Sequence, residues 1–168
     1  MNRDLTTHHA EFIKAYDELG DALFRHSFFR VSNRDVALDM VQDTFVKTWQ
    51  HVERGEKILN LKAYLYHVMN NLVIDYYRKS KSSSLDTLLD DGFDPSDSSV
   101  DIEEKAEMSL VMNAVGKLPE DDRQLVVMRH VDGLSITEIA EAIDESENVV
   151  SVRLHRAIKN LKKLYNHE

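Results

Sequence analysis

Leu134 to Lys163, LSITEIAEAIDESENVVSVRLHRAIKNLKK, reads as two short helices around a tight turn. Ser135 with Glu138 three residues later forms a capping box, and Asp132-Gly133 ahead of it closes an earlier helix. Ile136, Ile139, Ala140 and Ile143 then fall on one face. After Asp144-Glu145, Ser146 caps a second helix whose apolar positions Val150, Leu154, Ala157, Leu161 and Leu164 keep the helical period. Its other side carries Asn148, Ser151, Val152, His155, Arg156, Lys159 and Lys163. A helix set in a major groove uses its first turns for base edges and its later cations for phosphates, which suits this order. The block therefore reads as a helix-turn-helix. An ordinary amphipathic pair with a solvated basic face fits the same residues, and this stretch alone leaves both readings open.

Upstream of this block, Phe12, Tyr16, Leu19 and Leu23 recur at helical spacing. So do Leu38, Val41, Phe45 and Thr48 or Trp49, behind a Ser32 to Asp35 cap signal. A third helix is predicted from about Leu61 to Arg78, burying Leu61, Leu65, Val68, Leu72 and Tyr76. Five glycines and two prolines interrupt the chain, and no alternating strand pattern persists. The expected fold is all-α, with two small helical domains: residues 1–82, and residues 105–168 containing the helix-turn-helix. The Ser- and Asp-rich stretch 83–104 between them has the composition of a flexible acidic linker.

The net charge of −9 and the pI of about 5.3 have the wrong sign for a protein that finds DNA unaided. The location of the charge resolves most of this. Leu85 to Glu107 holds nine acids against the single base Lys105, whereas Asn148 to Glu168 holds five bases against one acid, Glu168. The helix-turn-helix end is locally basic, but a patch of this size gives weak, salt-sensitive affinity, so a partner supplying further DNA contact is expected. Absence of cysteine excludes disulfides and thiolate metal sites and fits a reducing cytoplasm. No apolar run approaches a membrane span, and the start MNRDLTTHHAEF lacks a signal-peptide core, so a cytoplasmic, unprocessed chain is expected.

On the third helix Tyr64, His67, Asn71, Asp75 and Arg78 form one stripe clear of the apolar face, extended by Lys79 and Lys81. An aromatic ring, an amide and cations on a common face suit single-stranded nucleic acid: a stacking surface, a reader of a base edge and partners for phosphate. A solvated polar face with a chance tyrosine looks the same in sequence.

Taken in order, three blocks resemble the bacterial RNA polymerase sigma factors of the sigma-70 family, extracytoplasmic-function group. ALDMVQDTFVKTWQ (Ala37 to Gln50) is similar to that family's polymerase-binding helix, and NLKAYLYHVMNNLVIDYYRKSKS (Asn60 to Ser82) to the helix that handles the melted minus-ten element. LPEDDRQLVVMRHVDGLSITEIAEAI (Leu118 to Ile143) with VVSVRLHRAIKNL (Val149 to Leu161) resembles the domain that reads the minus-thirty-five element. The resemblance implies a chain that binds core RNA polymerase and then directs the holoenzyme to promoter DNA. It assigns polymerase contact to Asp39, Gln42, Asp43 and Phe45, and minus-ten contact to Tyr64, His67, Asn71, Arg78 and Lys79. Asn71 matches the residue that helps hold a flipped non-template base, with loop residues His51 to Asn60 lining its pocket. Minus-thirty-five contact falls to Asn148, Ser151, Val152, Arg153, His155, Arg156 and Lys159. The family's linker threads polymerase channels, which the acidic charge of residues 83–104 suits. An anti-sigma factor is a further expected partner.

Some positions depart from the family pattern. Tyr64 stands where many relatives carry tryptophan, and Asp144 where glycine is common in the turn. Asn148-Val149-Val150-Ser151-Val152-Arg153 replaces a Gly-Thr-Val-Lys-Ser-Arg opening of the recognition helix. An aspartate is able to adopt the left-handed turn conformation, so the motif survives. The missing lysine and the acids Asp144, Glu145 and Glu147 near the DNA-facing end weaken phosphate attraction, which leaves Arg153, His155 and Arg156 as the best contacts.

Catalysis has little support. The chain has no Gly-rich phosphate loop, no HExxH and no nucleophile elbow, and no cofactor or metal is expected. Two other classes compete: a free-standing helix-turn-helix regulator that binds duplex DNA without polymerase, and a polymerase-binding protein that reads no promoter. No extra sensing domain is expected in the short tail after Leu164.

Overall fold

The computed structural model describes residues 2–82, 110–111 and 113–166, with side chains described from residue 9 to 80 and throughout the later segments. Among the described residues the main helices are α1 (Asn2–Val31), α2 (Arg34–Glu53), α3 (Leu61–Ser82), α4 (Glu120–Val126), α5 (Ile136–Ile143) and α6 (Glu147–Asn166), with further helical residues at 110–111 and 113–116. No strand occurs among the described residues. The predicted linker, 83–104, lies outside them.

In the first domain α1 and α2 form an antiparallel pair, turned by Ser32, whose backbone is left-handed at φ 52°. Asn33, rather than the expected Ser32, caps α2: its Oδ1 accepts from the Val36 N–H at 3.0 Å. Phe45 is the pivot of the pair, with its ring edge-on to Phe12 at 5.6 Å and tilted against Tyr16 at 4.8 Å. Leu38 is exposed, contrary to its expected place on the α2 stripe, because the buried face runs through Ala37, Met40, Val41, Thr44, Phe45 and Thr48. The two threonines satisfy their hydroxyls by donating back to the Met40 and Thr44 carbonyls, each at 2.7 Å, so an apolar core tolerates them.

α3 is buried on more of its circumference than an amphipathic helix at a domain surface. Leu65 and Val68 are buried as expected, but so are Ala63, Tyr66, Met69, Asn70 and Val73, while Leu61, Leu72 and Tyr76 are only half-buried. The second face is covered because α3 packs directly on α5 of the second domain. Ala142 of α5 has no exposed surface, and its carbonyl accepts from His67 Nδ1 at 2.9 Å.

In the second domain Pro119 precedes α4, whose first turn holds Glu120, Asp121 and Asp122, the sign favoured by the helix dipole. α4 runs into a π-helical turn, Val127–Val131, and ends at Gly133 with φ 70°, where the Leu134 N–H donates to the Met128 carbonyl at 2.9 Å. The capping box of α5 is complete: Ser135 Oγ accepts from the Glu138 N–H at 3.1 Å, and Glu138 Oε2 accepts from the Ser135 N–H at 2.8 Å. Asp144 ends α5 in the left-handed region, φ 55° and ψ 47°, and Ser146 Oγ accepts from the Val149 N–H at 3.3 Å to open α6. Val150, Leu154 and Ala157 are buried against α4 and α5, as their spacing predicts.

The domains meet in a buried polar cluster. Arg30, at the end of α1, is 1% exposed, so its charge has to be matched inside the protein. Its Nε donates to Glu120 Oε1 at 2.7 Å, with Nη2 2.6 Å from the same oxygen, and Nη1 donates to Asn70 Oδ1 at 2.8 Å. Nη1 also lies 3.3 Å from His26 Nε2. A guanidinium has only donors, so His26 Nε2 accepts and the imidazole proton sits on Nδ1, where it is donated to Asp132 Oδ2 at 2.7 Å. The Tyr66 ring stands edge-on to His26 at 5.3 Å, and the Tyr77 hydroxyl donates to the Arg30 carbonyl. Lys62 and Glu138 add an ion pair at 3.4 Å at the rim.

Burial pushes His26 below the ordinary imidazole range, against the opposing pull of Asp132. A depressed imidazole pKa means that the unfolded or separated chain binds the proton more readily. The stability His26 contributes is therefore complete above about pH 6.5 and lost as the pH falls below it. Urea denaturation at pH 7.5 and 5.5 should show the wild type losing more stability on acidification than His26→Asn, which keeps a donor for Asp132 without a titrating ring. In the helix-turn-helix, Ser135→Ala should cost about 1 kcal/mol through the lost cap, and Asp144→Val about 1–2 kcal/mol through left-handed strain, each read as a lower denaturation midpoint.

Candidate nucleic-acid interface

Two surfaces carry the residues expected to meet nucleic acid. On α3, Tyr64, His67 and Asn71 are separated by three and four residues and so share one face. They line a cleft of about 390 Å³ whose opposite wall is Lys47 and Gln50 of α2 with Arg54 just beyond it. Val68, Leu72 and Asp75 complete the lining. The cleft exists because α2 and α3 pack side by side and the chain between them returns over their ends. Arg54 belongs to the loop His51 to Asn60 that the resemblance assigned to the pocket, whereas the sequence did not point to Lys47 and Gln50, because nothing local signals which residues of α2 cross the α3 stripe.

The stacking surface is an aromatic pair. The His51 ring lies tilted by 32° against Tyr64 with centroids 4.8 Å apart, and Tyr64 continues to His67 at 6.2 Å. Burial and the nearby Glu56 carboxylate push the Tyr64 phenol up, which keeps it a neutral donor. Of the loop His51 to Asn60, Arg54 reaches the cleft wall and His51 backs Tyr64, while Leu59 stands fully exposed. Asn71 Nδ2 donates to His67 Nε2 at 3.2 Å, and since His67 Nδ1 donates to the Ala142 carbonyl, the imidazole carries its one proton on Nδ1. Arg78 and Lys79 are exposed at the end of the helix, and Arg78 pairs with Asp75 at 2.9 Å.

The second surface is the outer face of α6. Asn148, Ser151, Val152, His155, Arg156 and Lys159 are exposed together, and Arg153 is half-buried at their edge. Val152 is 51% exposed. Of the nearby acids, Glu147 is engaged: its Oε1 accepts from the Thr137 hydroxyl at 2.9 Å. A shallow hollow of about 290 Å³ brings Arg129 and His130 of the π-helical turn beside Ser151 and His155. Arg129 enlarges the cationic face, and the segment that carries it lies in the block Leu118 to Ile143 that resembles the minus-thirty-five-reading domain, although neither residue was singled out there.

On α2, Asp39, Gln42 and Asp43 form an exposed polar strip. Phe45, expected to join them, is 4% exposed and belongs to the core between α1 and α2.

Comparison with known proteins matches the two helical blocks of the chain in order. Residues 15–83 match the model of sigma-70 region 2, and residues 108–161 match that of sigma-70 region 4, together well over half of the chain. Among curated proteins, the chain is 28% identical over 149 residues to the ECF RNA polymerase sigma factor SigL of Mycobacterium tuberculosis, covering 88% of this chain and 84% of that one. It is 29% identical over 144 residues to the RNA polymerase sigma factor SigV of Bacillus subtilis, covering 83% and 81%. Among solved structures, the sigma factor RpoE of Bartonella quintana, in complex with the anti-sigma factor NepR, superposes with a TM-score of 0.73 at 23% identity over 93% of this chain and 97% of that one. CnrH, in complex with the cytosolic domain of CnrY, superposes with a TM-score of 0.71 at 23% identity over 95% and 90%. With both regions matched in order across the two helical domains, the chain belongs to the sigma-70 family, as a sigma factor of the extracytoplasmic-function group that directs transcription initiation.

Proposed function

We propose that this sigma factor reads two promoter elements with its two surfaces: the minus-thirty-five element as duplex, through α6, and the minus-ten element as melted non-template strand, through the α2–α3 cleft. The observation that carries the reading is the cleft itself. It combines the Tyr64 ring, backed by His51, an amide, Asn71, and the cations Lys47 and Arg54 around about 390 Å³. That is the chemistry required to stack a base, read its edge and neutralise the adjoining phosphate. Extruding a base costs a few kcal/mol of unstacking, which contacts of the holoenzyme have to offset.

The exposed strip Asp39, Gln42 and Asp43 is the proposed contact for core polymerase, and Phe45 supports it from beneath by fixing the α1–α2 packing. On α6, Ser151 and Val152 in the first turns are the proposed base readers, with Asn148 at the helix start, and Arg153, His155, Arg156 and Lys159 are the phosphate partners. The chain acts by binding and has no catalytic step of its own in this reading. No helix among the described residues is long and apolar enough to cross a membrane, and the proposed work is on cytoplasmic polymerase. An anti-sigma factor is a proposed regulator, as in the two structural relatives whose complexes are named above.

Purified chain mixed with bacterial core polymerase should comigrate with core and yield selective transcripts from a library of linear DNA fragments. Arg153→Ala with Arg156→Ala should abolish selection at the minus-thirty-five position. Asn71→Ala should relax selection at one minus-ten base, lowering initiation by roughly 10- to 100-fold, the equivalent of about 1–3 kcal/mol for a lost base contact. Failure to bind core, with duplex binding by the chain alone, would instead make it a free-standing helix-turn-helix regulator.

A further inference from the structure

Val150, Leu154 and Ala157 fix which side of α6 is turned inward, so the line directly opposite them runs through Asn148, Val152, His155 and Lys159, at spacings of four, three and four residues. All four are exposed, and Val149 and Ser151 flank the first two. Among the described residues the side chains of Asn148 and Ser151 have no hydrogen-bond partner, which leaves both polar atoms of the Asn148 amide available. Glu147 beside them is held by the Thr137 hydroxyl.

The chemistry changes along this line. From Asn148 to Val152 the exposed side chains are an amide, a valine, a hydroxyl and a second valine, and none is cationic. Cations begin with Arg153, half-buried at the edge, and continue with Arg156 and Lys159. The last two lie about 12–16 Å further along the axis than Asn148, where a helix leaving the groove meets phosphates. Arg129 has Nη1 tied to the Leu134 carbonyl at 2.8 Å, which removes one arm of its fork.

Base pairs differ in what they present to such a face. Guanine shows two acceptors, N7 and O6, and is read by the paired donors of Arg or Lys. Adenine shows an acceptor, N7, beside a donor, N6, which an amide side chain matches with its own donor and acceptor, and the thymine C5 methyl is the apolar group of the major groove. A guanine in front of Asn148 sets O6 against the amide carbonyl, acceptor against acceptor. A G·C edge against Val152 leaves a desolvated polar group with no partner. Asn148 and Val152 are about 6 Å apart along the axis, roughly two base-pair steps of 3.4 Å, so one docked helix reaches both contacts in neighbouring pairs.

We propose that the first turns of α6 select two A·T pairs, no more than two steps apart, in the minus-thirty-five element: an adenine through both polar atoms of the Asn148 amide, and a thymine through its methyl on Val152. This rests on the promoter reading above and adds the identity of the bases. Guanine is selected at neither position, and Arg156 and Lys159 set register on the phosphates without adding sequence preference.

The test uses the complete chain with bacterial core polymerase and linear fragments randomised upstream of the minus-ten region, from which initiating fragments are recovered and sequenced. Two A·T pairs one or two steps apart should emerge in the minus-thirty-five element. On a selected fragment, deoxyuridine in place of the contacted thymine removes only the methyl and should weaken holoenzyme binding about fourfold. Val152→Ser should bind both fragments equally. Replacing the contacted adenine by 7-deazaadenine removes N7 and should weaken the wild type about fivefold or more, with no effect on Asn148→Ala. Asn148→Arg should move the preference at that position from adenine to guanine. Comigration with core checks that each variant folds.

Guanine at either contacted position would overturn the A·T assignment while leaving the promoter reading intact. So would modified fragments that the wild type binds as well as the parent, or variants as sensitive to the modified bases as the wild type. Absence of any core-dependent selection would overturn the promoter reading, and the base assignment with it.

Discussion

A guanidinium with no access to water has to find anions and acceptors within hydrogen-bond reach, and Arg30 finds them in both halves of the molecule. Glu120 comes from 90 residues away in the second domain, and Asn70 from α3 of the first. Removing one partner of such a buried pair costs about 3–5 kcal/mol, because the remaining charge is left stranded. His26 and Asp132 extend the same constraint along α1. The polar cluster decides which face of α1 is turned inward, which face of α3 is covered by the helix-turn-helix, and hence how the α2–α3 cleft and the outer face of α6, the two surfaces proposed to meet DNA, are presented.

Charge distribution supports the division of labour between those surfaces. The chain as a whole is acidic, so neither domain is drawn to DNA by a general positive field. Cations are concentrated where the geometry uses them: Lys47 and Arg54 at the cleft, and Arg129, Arg153, Arg156 and Lys159 around α6. A protein with local patches and an unfavourable total charge depends on a larger partner for affinity and contributes discrimination, the division of labour expected of a specificity subunit.

The sequence made the helix-turn-helix legible because its signals are local. The Ser135–Glu138 capping box, the left-handed Asp144 and the Val150, Leu154, Ala157 stripe all lie within a turn or two of one another, and each appears in the structure as read. The α3 stripe was legible for the same reason, since Tyr64, His67 and Asn71 are neighbours on one helix. What stayed hidden depends on long-range packing. Arg30 reads as an ordinary polar end of α1, and nothing in its vicinity announces burial. The second buried face of α3, through Tyr66, Met69 and Val73, exists only because another domain lies on it. Lys47 and Gln50 join the cleft by the packing of two helices, while Phe45, grouped with its polar neighbours by resemblance, is held by Phe12 and Tyr16 in the core that its helical spacing had indicated.

The central claim, one chain reading two promoter elements with two surfaces, is tested most directly by photocrosslinking from within the holoenzyme–promoter complex. A benzophenone amino acid at Tyr64 should crosslink to the non-template strand of the minus-ten element. The same group at Ser151 should crosslink to minus-thirty-five duplex on the same fragment, and both reactions should require core polymerase. Crosslinks from Ser151 to duplex without core, with none from Tyr64 to either strand, would contradict the account.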